Sequence, residues 1–214
     1  MERKKAMRIK ICGMSEQHAI DAAAEMGVDY CGFVFHSPSP RNIRSGEAAL
    51  LKTHGMKRVG VFVKQSVEEI HAIVQKASLD YIQLHGRQSA AFARNFPAEK
   101  VIKVFMPAWY PSMTELQEEM EAFSEFCGMY LLDAGMGSGK ELDWKQLAHL
   151  SLPHPWLLSG GLGEENVAKA LSACSPDGVD FNSRLESSPG HKSLMRMEGA
   201  VFAVRSWMSA RQEW

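Results

Sequence analysis

An α/β chain folded as a single-domain (β/α)8 TIM barrel is what the sequence predicts, on three observations. Eight short apolar runs alternate with amphipathic stretches. Several runs, such as DYCGFVF at Asp29–Phe35, hold adjacent apolar residues rather than clean alternation, as strands buried on both faces do. The repeats fit within 214 residues with no linker, low-complexity tract or composition shift to divide them, which suits the lower end of the size range for such barrels. Parallel neighbours need crossover connections, so the alternation implies a parallel sheet. An open doubly wound sheet has the same alternation, and the number of repeats in this length favours closure. The domain is expected to span 1–214, with 1–7 as a short N-terminal tail.

The elements follow in order. Arg8–Cys12 (RIKIC) is the first strand; Gly13 follows, then Ser15 as an expected N-cap. Ala19, Ala22, Ala23 and Met26 then recur at helical spacing. Asp29–Phe35 is the second strand and Arg58–Val63 (RVGVFV) the third. Ser66 and Glu69 form an expected capping box ahead of Val67, Ile70 and Val74 on one helical face. Tyr81–Leu84 (YIQL) and Val101–Met106 (VIKVFM) are the fourth and fifth strands, and Met113, Leu116, Met120 and Phe123 mark a helix. Met129–Asp133 (MYLLD) and Trp156–Ser159 (WLLS) come next, with Val167, Ala170, Leu171 and Cys174 on the following helix. Gly178–Phe181 (GVDF) is the short eighth strand, and Leu194, Met197, Val201 and Val204 mark the closing helix. Helical periodicity is weakest after the second, fourth and sixth strands.

The bulk properties exclude several classes. The chain is 45% hydrophobic and 23% charged with a formal net charge of −1, an ordinary globular balance. A near-neutral chain has no long-range field for nucleic acid or an anionic membrane, so any anionic ligand needs local donors. Cys12, Cys31, Cys127 and Cys174 are widely spaced with no C-x-x-C pair, against zinc-ribbon and thioredoxin-like readings. Met1 to Lys10 is basic but no apolar stretch follows it, so no secretory signal is expected. No apolar run reaches the roughly 18 residues of a membrane span. A cytoplasmic location is the expectation.

In such barrels the active site lies at the C-terminal ends of the strands. The informative residues therefore end the apolar runs: Cys12, Phe35 through Arg41, Lys64, His85, Met106, Asp133, Gly160–Gly161 and Asn182–Ser183. Each also has a plainer reading. A lone cysteine is usually core, and an aspartate after an apolar strand often caps a helix. Most arginines are simply solvated, a glycine pair is an ordinary turn, and a histidine can be a satisfied polar residue.

The blocks KICG (Lys10–Gly13), GFVFHSPSPR (Gly32–Arg41), VGVFVKQ (Val59–Gln65), IQLHG (Ile82–Gly86), Leu132–Asp133 with GSGK (Gly137–Lys140), LSGGL (Leu158–Leu162) and DGVDFNSRLESSPGHK (Asp177–Lys192) occur in that order. Together they resemble the phosphoribosylanthranilate isomerase family over most of the chain. The resemblance implies an aldose–ketose isomerase of tryptophan biosynthesis. It would convert N-(5-phosphoribosyl)anthranilate to 1-(2-carboxyphenylamino)-1-deoxyribulose 5-phosphate by an Amadori rearrangement. An acid protonates the furanose oxygen, the ring opens to a Schiff base, a base removes the proton at sugar C2, and the enolamine tautomerises to the ketone. No metal or organic cofactor is implied; the partner is the small-molecule substrate, with neither nucleic acid nor membrane, and the chain is a monomer or homodimer.

By the same resemblance Cys12 is the general base and Asp133 the general acid. A helix following Cys12 is expected to favour its thiolate through its positive end. An acid at neutral pH must hold its proton, which apolar burial favours and arginine or helix N-termini oppose. Arg41 matches the arginine that grips the anthranilate carboxylate by paired hydrogen bonds, on a loop stiffened by Pro38 and Pro40. Gly160 and Gly161 let backbone N–H groups approach the phosphate, a following helix start is expected to add its dipole, and Asn182 and Ser183 supply further donors. His85 lines the site. GSGK lacks the G-x-x-x-x-G-K-[ST] frame of a phosphate loop and resembles the family's flexible loop after the sixth strand.

Three positions depart from the family pattern: Arg184 stands where many relatives carry glycine, Lys64 replaces a commoner asparagine, and His191–Ser193 replaces the usual lysine–aspartate ending. Two rival readings remain at this point. One is a related sugar-phosphate barrel, such as an indole-glycerol-phosphate synthase or a histidine-pathway isomerase. The other is a noncatalytic phosphosugar-binding barrel, which only Arg184 encourages.

Overall fold

Eight parallel strands close on themselves in the computed structural model, which describes residues 7–133 and 144–211. They are β1 (Arg8–Ile11), β2 (Tyr30–Val34), β3 (Lys57–Phe62), β4 (Tyr81–Leu84), β5 (Val101–Phe105), β6 (Met129–Asp133), β7 (Trp156–Ser159) and β8 (Gly178–Phe181). Each pairs with its neighbours in sequence, and β8 returns to β1 with Lys10 beside Asp180. Between and after them run α1 (Gln17–Glu25), α2 (Ser45–Leu50), α3 (Val67–Ala77), α4 (Ala90–Ala93), α5 (Met113–Ala122), α6 (Trp144–Leu147), α7 (Val167–Cys174) and α8 (Leu194–Ala210). A hairpin absent from the sequence reading, β9 (Glu186–Ser188) with β10 (His191–Lys192), is inserted between β8 and α8.

The double burial read from the sequence is two cores, one on each face of the barrel wall. Successive strand residues point to opposite faces. Ile102 and Val104 join Tyr30, Val59, Met129, Leu131 and Leu157 inside the barrel. Val101 and Phe105, the alternate positions, pack outward against Leu116, Met120 and Phe123 of the helical layer. The helices after β2, β4 and β6 are the short ones, of 6, 4 and 4 residues, as their faint periodicity anticipated.

Local signals held where a side chain is committed to the backbone. Ser66 accepts from Glu69 N at 3.2 Å and Glu69 accepts from Ser66 N at 2.7 Å, the expected capping box. Ser15 does not cap α1: that helix starts at Gln17 behind Glu16, with no side-chain cap. Arg58 serves the opposite ends, donating to the carbonyls of Ala48, Leu51 and Ala77, where helices leave acceptors unsatisfied. The GSGK segment, Gly137–Lys140, lies outside the described residues.

Candidate active site

All eight candidate site residues line one cavity of about 450 Å³ at the C-terminal rim of the barrel. Cys12 follows β1, Arg41 sits in the loop after β2, His85 follows β4 and Asp133 ends β6. Gly160 and Gly161 follow β7; Asn182 and Ser183 follow β8. Residues up to 171 positions apart therefore converge because a parallel barrel delivers every strand end to the same face.

The floor beneath the thiol was not read from the sequence. Lys10 and Asp180, inward-facing on adjacent strands, are both buried and joined at 2.9 Å. Burial alone would strip Lys10 of its proton, but Asp180 and Cys12 outweigh it and hold the ammonium above its ordinary pKa. Burial pushes the Cys12 thiol up, Lys10 pulls it down, Asp180 pushes it up again and Lys192 pulls it down; the net direction is upward. The cations that favour thiolate are the Lys10 and Lys192 side chains, and they only partly offset burial; α1, whose positive end was expected to help, begins at Gln17, five residues after Cys12.

Across the cavity, Asp133 is half-buried, with Oδ2 3.9 Å from His85 Nε2. Burial lowers the His85 pKa more than Asp133 raises it, so the ring is neutral at pH 7. Gln83 Nε2 approaches His85 Nδ1 at 3.4 Å, which leaves the ring proton on Nε2, facing Asp133. Gln83 Oε1 is buried at the cavity wall with no hydrogen-bond partner among the described residues. Gln83, like Lys10 and Asp180, is a polar residue inside a strand; the polar residue in YIQL was the available signal.

Arg41 reaches the cavity across Gly13, whose φ is +71° and where a Cβ would meet Arg41 Cδ at 2.8 Å. Its Nε and Nη2 donate to Glu186 at 2.7 and 2.6 Å. Gly160 and Gly161 have φ of +99° and +65°, backbone that favours glycine. The dipole expected just after them is displaced, because α7 begins only at Val167. Asn166 accepts from Gly163 N at 2.9 Å and donates to Gly161 O at 3.0 Å, bracing this turn. Lys192 donates to Asn182 Oδ1 at 3.0 Å, which leaves the Asn182 amide N–H groups as the donors on that side chain. Arg184 points outward, 3.6 Å from Glu165, and His191 pairs with Glu16 at 3.3 Å; neither lines the cavity. Lys64 is exposed.

Comparison with known proteins gives a consistent result. Residues 9–202 match the family model described as N-(5'phosphoribosyl)anthranilate (PRA) isomerase. An N-(5'-phosphoribosyl)anthranilate isomerase of Desulfovibrio desulfuricans is 50% identical over 91% of this chain and 94% of its own. The crystal structure of TrpF from Jonesia denitrificans superposes with a TM-score of 0.80 at 33% identity, covering 95% of this chain and 98% of that one. A phosphoribosyl anthranilate isomerase in complex with reduced 1-(o-carboxyphenylamino)-1-deoxyribulose 5-phosphate superposes with a TM-score of 0.79 at 28% identity, covering 94% and 100%.

Proposed function

The chain belongs to the N-(5'-phosphoribosyl)anthranilate isomerase family and carries out that isomerisation in tryptophan biosynthesis, and on this premise we propose that Cys12 and Asp133 are its general base and general acid. The observation that carries the assignment is the convergence of a thiol, a carboxyl group, an arginine and a glycine turn on one cavity. At about 450 Å³ it falls in the range of small-molecule sites, about 300–1,000 Å³.

In this reading Arg41 takes the anthranilate carboxylate and the Gly160–Gly161 turn, with Asn182 and Ser183, takes the phosphate. Fixing both ends of the substrate places the sugar between Cys12 and Asp133. Asp133 delivers a proton to the furanose oxygen as the C1–O bond breaks. Cys12, as thiolate, removes the C2 proton from the resulting iminium, whose positive nitrogen accepts the electron pair. Lys10 stabilises the thiolate and is itself held by Asp180. Gln83 Oε1 is the buried acceptor that a sugar hydroxyl satisfies, and neutral His85 keeps a second cation away from the acid.

The assigned residues all belong to one chain, a set that a monomer and a homodimer alike would carry. Four free, buried thiols support a cytoplasmic setting. The test is a fluorescence assay with freshly made phosphoribosylanthranilate, run beside the substrates of the indole-glycerol-phosphate synthase and histidine-pathway reactions. Turnover of the first alone is expected. Binding without turnover would instead support the noncatalytic barrel.

A further inference from the structure

The β9–β10 hairpin forms a charged backing to the cavity, and its buried carboxylate, Glu186, has no part in the assigned acid–base chemistry. Glu186 is buried and accepts two parallel hydrogen bonds from Arg41, at 2.7 Å from Nε and 2.6 Å from Nη2. Lys192, also buried, donates to the same carboxylate at 2.9 Å. Arg196 of α8 donates to the Glu186 carbonyl and Ser193 N to Leu185 O, at 2.8 Å in the latter case, which anchors the hairpin to the barrel. At its turn Gly190, φ +89°, presses on the loop that carries Arg41: a Cβ there would meet Pro40 O at 2.8 Å.

We infer that Glu186 is a positioning residue for substrate recognition: it grips one edge of the Arg41 guanidinium and turns the other edge into the cavity to meet the substrate carboxylate. This rests on the isomerase reading above. An arginine has five N–H donors in a fixed planar fork. Glu186 takes Nε and one N–H of Nη2, so Nη1 and the second Nη2 hydrogen remain for a second anion. An arginine side chain without such a grip spreads over many rotamers, and a ligand must then supply the ordering. Lys192 balances the extra carboxylate, leaving the trio with one net positive charge opposite a monoanionic carboxylate.

Glu186→Asp is the decisive variant, because it keeps the charge and shortens the reach by one methylene, so that the fork is no longer held at both nitrogens. The expected result is a KM for phosphoribosylanthranilate raised about tenfold or more, the scale of one misplaced charge-assisted hydrogen bond. kcat should stay within about twofold, as expected for lost uniform binding. Competitive inhibition by inorganic phosphate, which reads the other end of the cavity, should not change. In an Arg41→Ala background, Glu186→Asp should add nothing further to KM, since coupled residues are not additive. An unchanged KM, or effects that multiply across the two sites, would overturn the inference. Glu186→Gln, equal in length and shape, serves if the shorter residue unfolds the hairpin; KM should rise there too, and an unchanged or lower KM would overturn it. Absence of wild-type turnover would sink the isomerase reading itself and is seen before any variant is made.

Discussion

Lys10→Met removes the cation that lies between Asp180 and the Cys12 thiol, and its effect can be worked from the geometry. The ammonium is fully buried and 2.9 Å from Asp180. At an effective dielectric of about 20, opposite charges at that separation attract by roughly 6 kcal/mol. Desolvation of both ions offsets much of this, but removing one partner strands the other, and such losses run to about 3–5 kcal/mol. Asp180 escapes part of the cost by taking up a proton. Lys10→Met is therefore expected to lose about 3 kcal/mol or more of stability at pH 7.5. Asp180→Leu in the same chain should restore most of it, because an apolar pair of similar volume is often neutral. Urea unfolding of the wild type, both single variants and the double variant measures this. Activity should fall separately, since Lys10 is the largest influence lowering the thiol pKa, and each pKa unit by which the thiol rises costs about tenfold in thiolate fraction and so in rate. A single variant within about 1 kcal/mol of wild type would refute the reasoning, since a stranded buried charge cannot be that inexpensive.

Two further outcomes follow from the site. Because burial holds the Cys12 thiol above its ordinary range, the reactive thiolate is the minor form at neutral pH. Its fraction rises with pH, so inactivation by iodoacetamide should speed up from pH 6 to pH 8.5; a pH-independent inactivation rate would argue against a thiol held above its ordinary range. Gly161→Ala forces a side chain onto a φ of +65°, a conformation costing about 1–2 kcal/mol for non-glycine residues. Inhibition by inorganic phosphate should weaken while the barrel stays folded by circular dichroism, and an unaltered inhibition constant would place the phosphate elsewhere.

The strands were legible because burial on both faces leaves a run of apolar residues, and all eight ran as read to within a residue at each end. Strand ends then pointed to the rim, and the resemblance supplied roles for residues that spacing alone left ambiguous. Lys10, Gln83 and Asp180 were harder, because a polar residue within a strand reads as a solvent-facing position. Only the closed barrel shows that they face inward, where Lys10 and Asp180 are made tolerable by their pairing. The Glu186–Arg41 contact joins residues 145 apart, and ESS and HK are too short for a period to show. The Ser15 cap failed for the opposite reason: the residue type was suitable, but α1 begins two residues later.

The central claim is most directly tested by comparing Cys12→Ser and Asp133→Asn with wild type, measuring turnover and binding of reduced 1-(o-carboxyphenylamino)-1-deoxyribulose 5-phosphate on the same samples. Each variant should lose about 10²–10⁴-fold in kcat, the usual worth of a positioned acid or base, while binding the analogue within a few-fold of wild type. Near-normal turnover in either variant would contradict the role given to that residue.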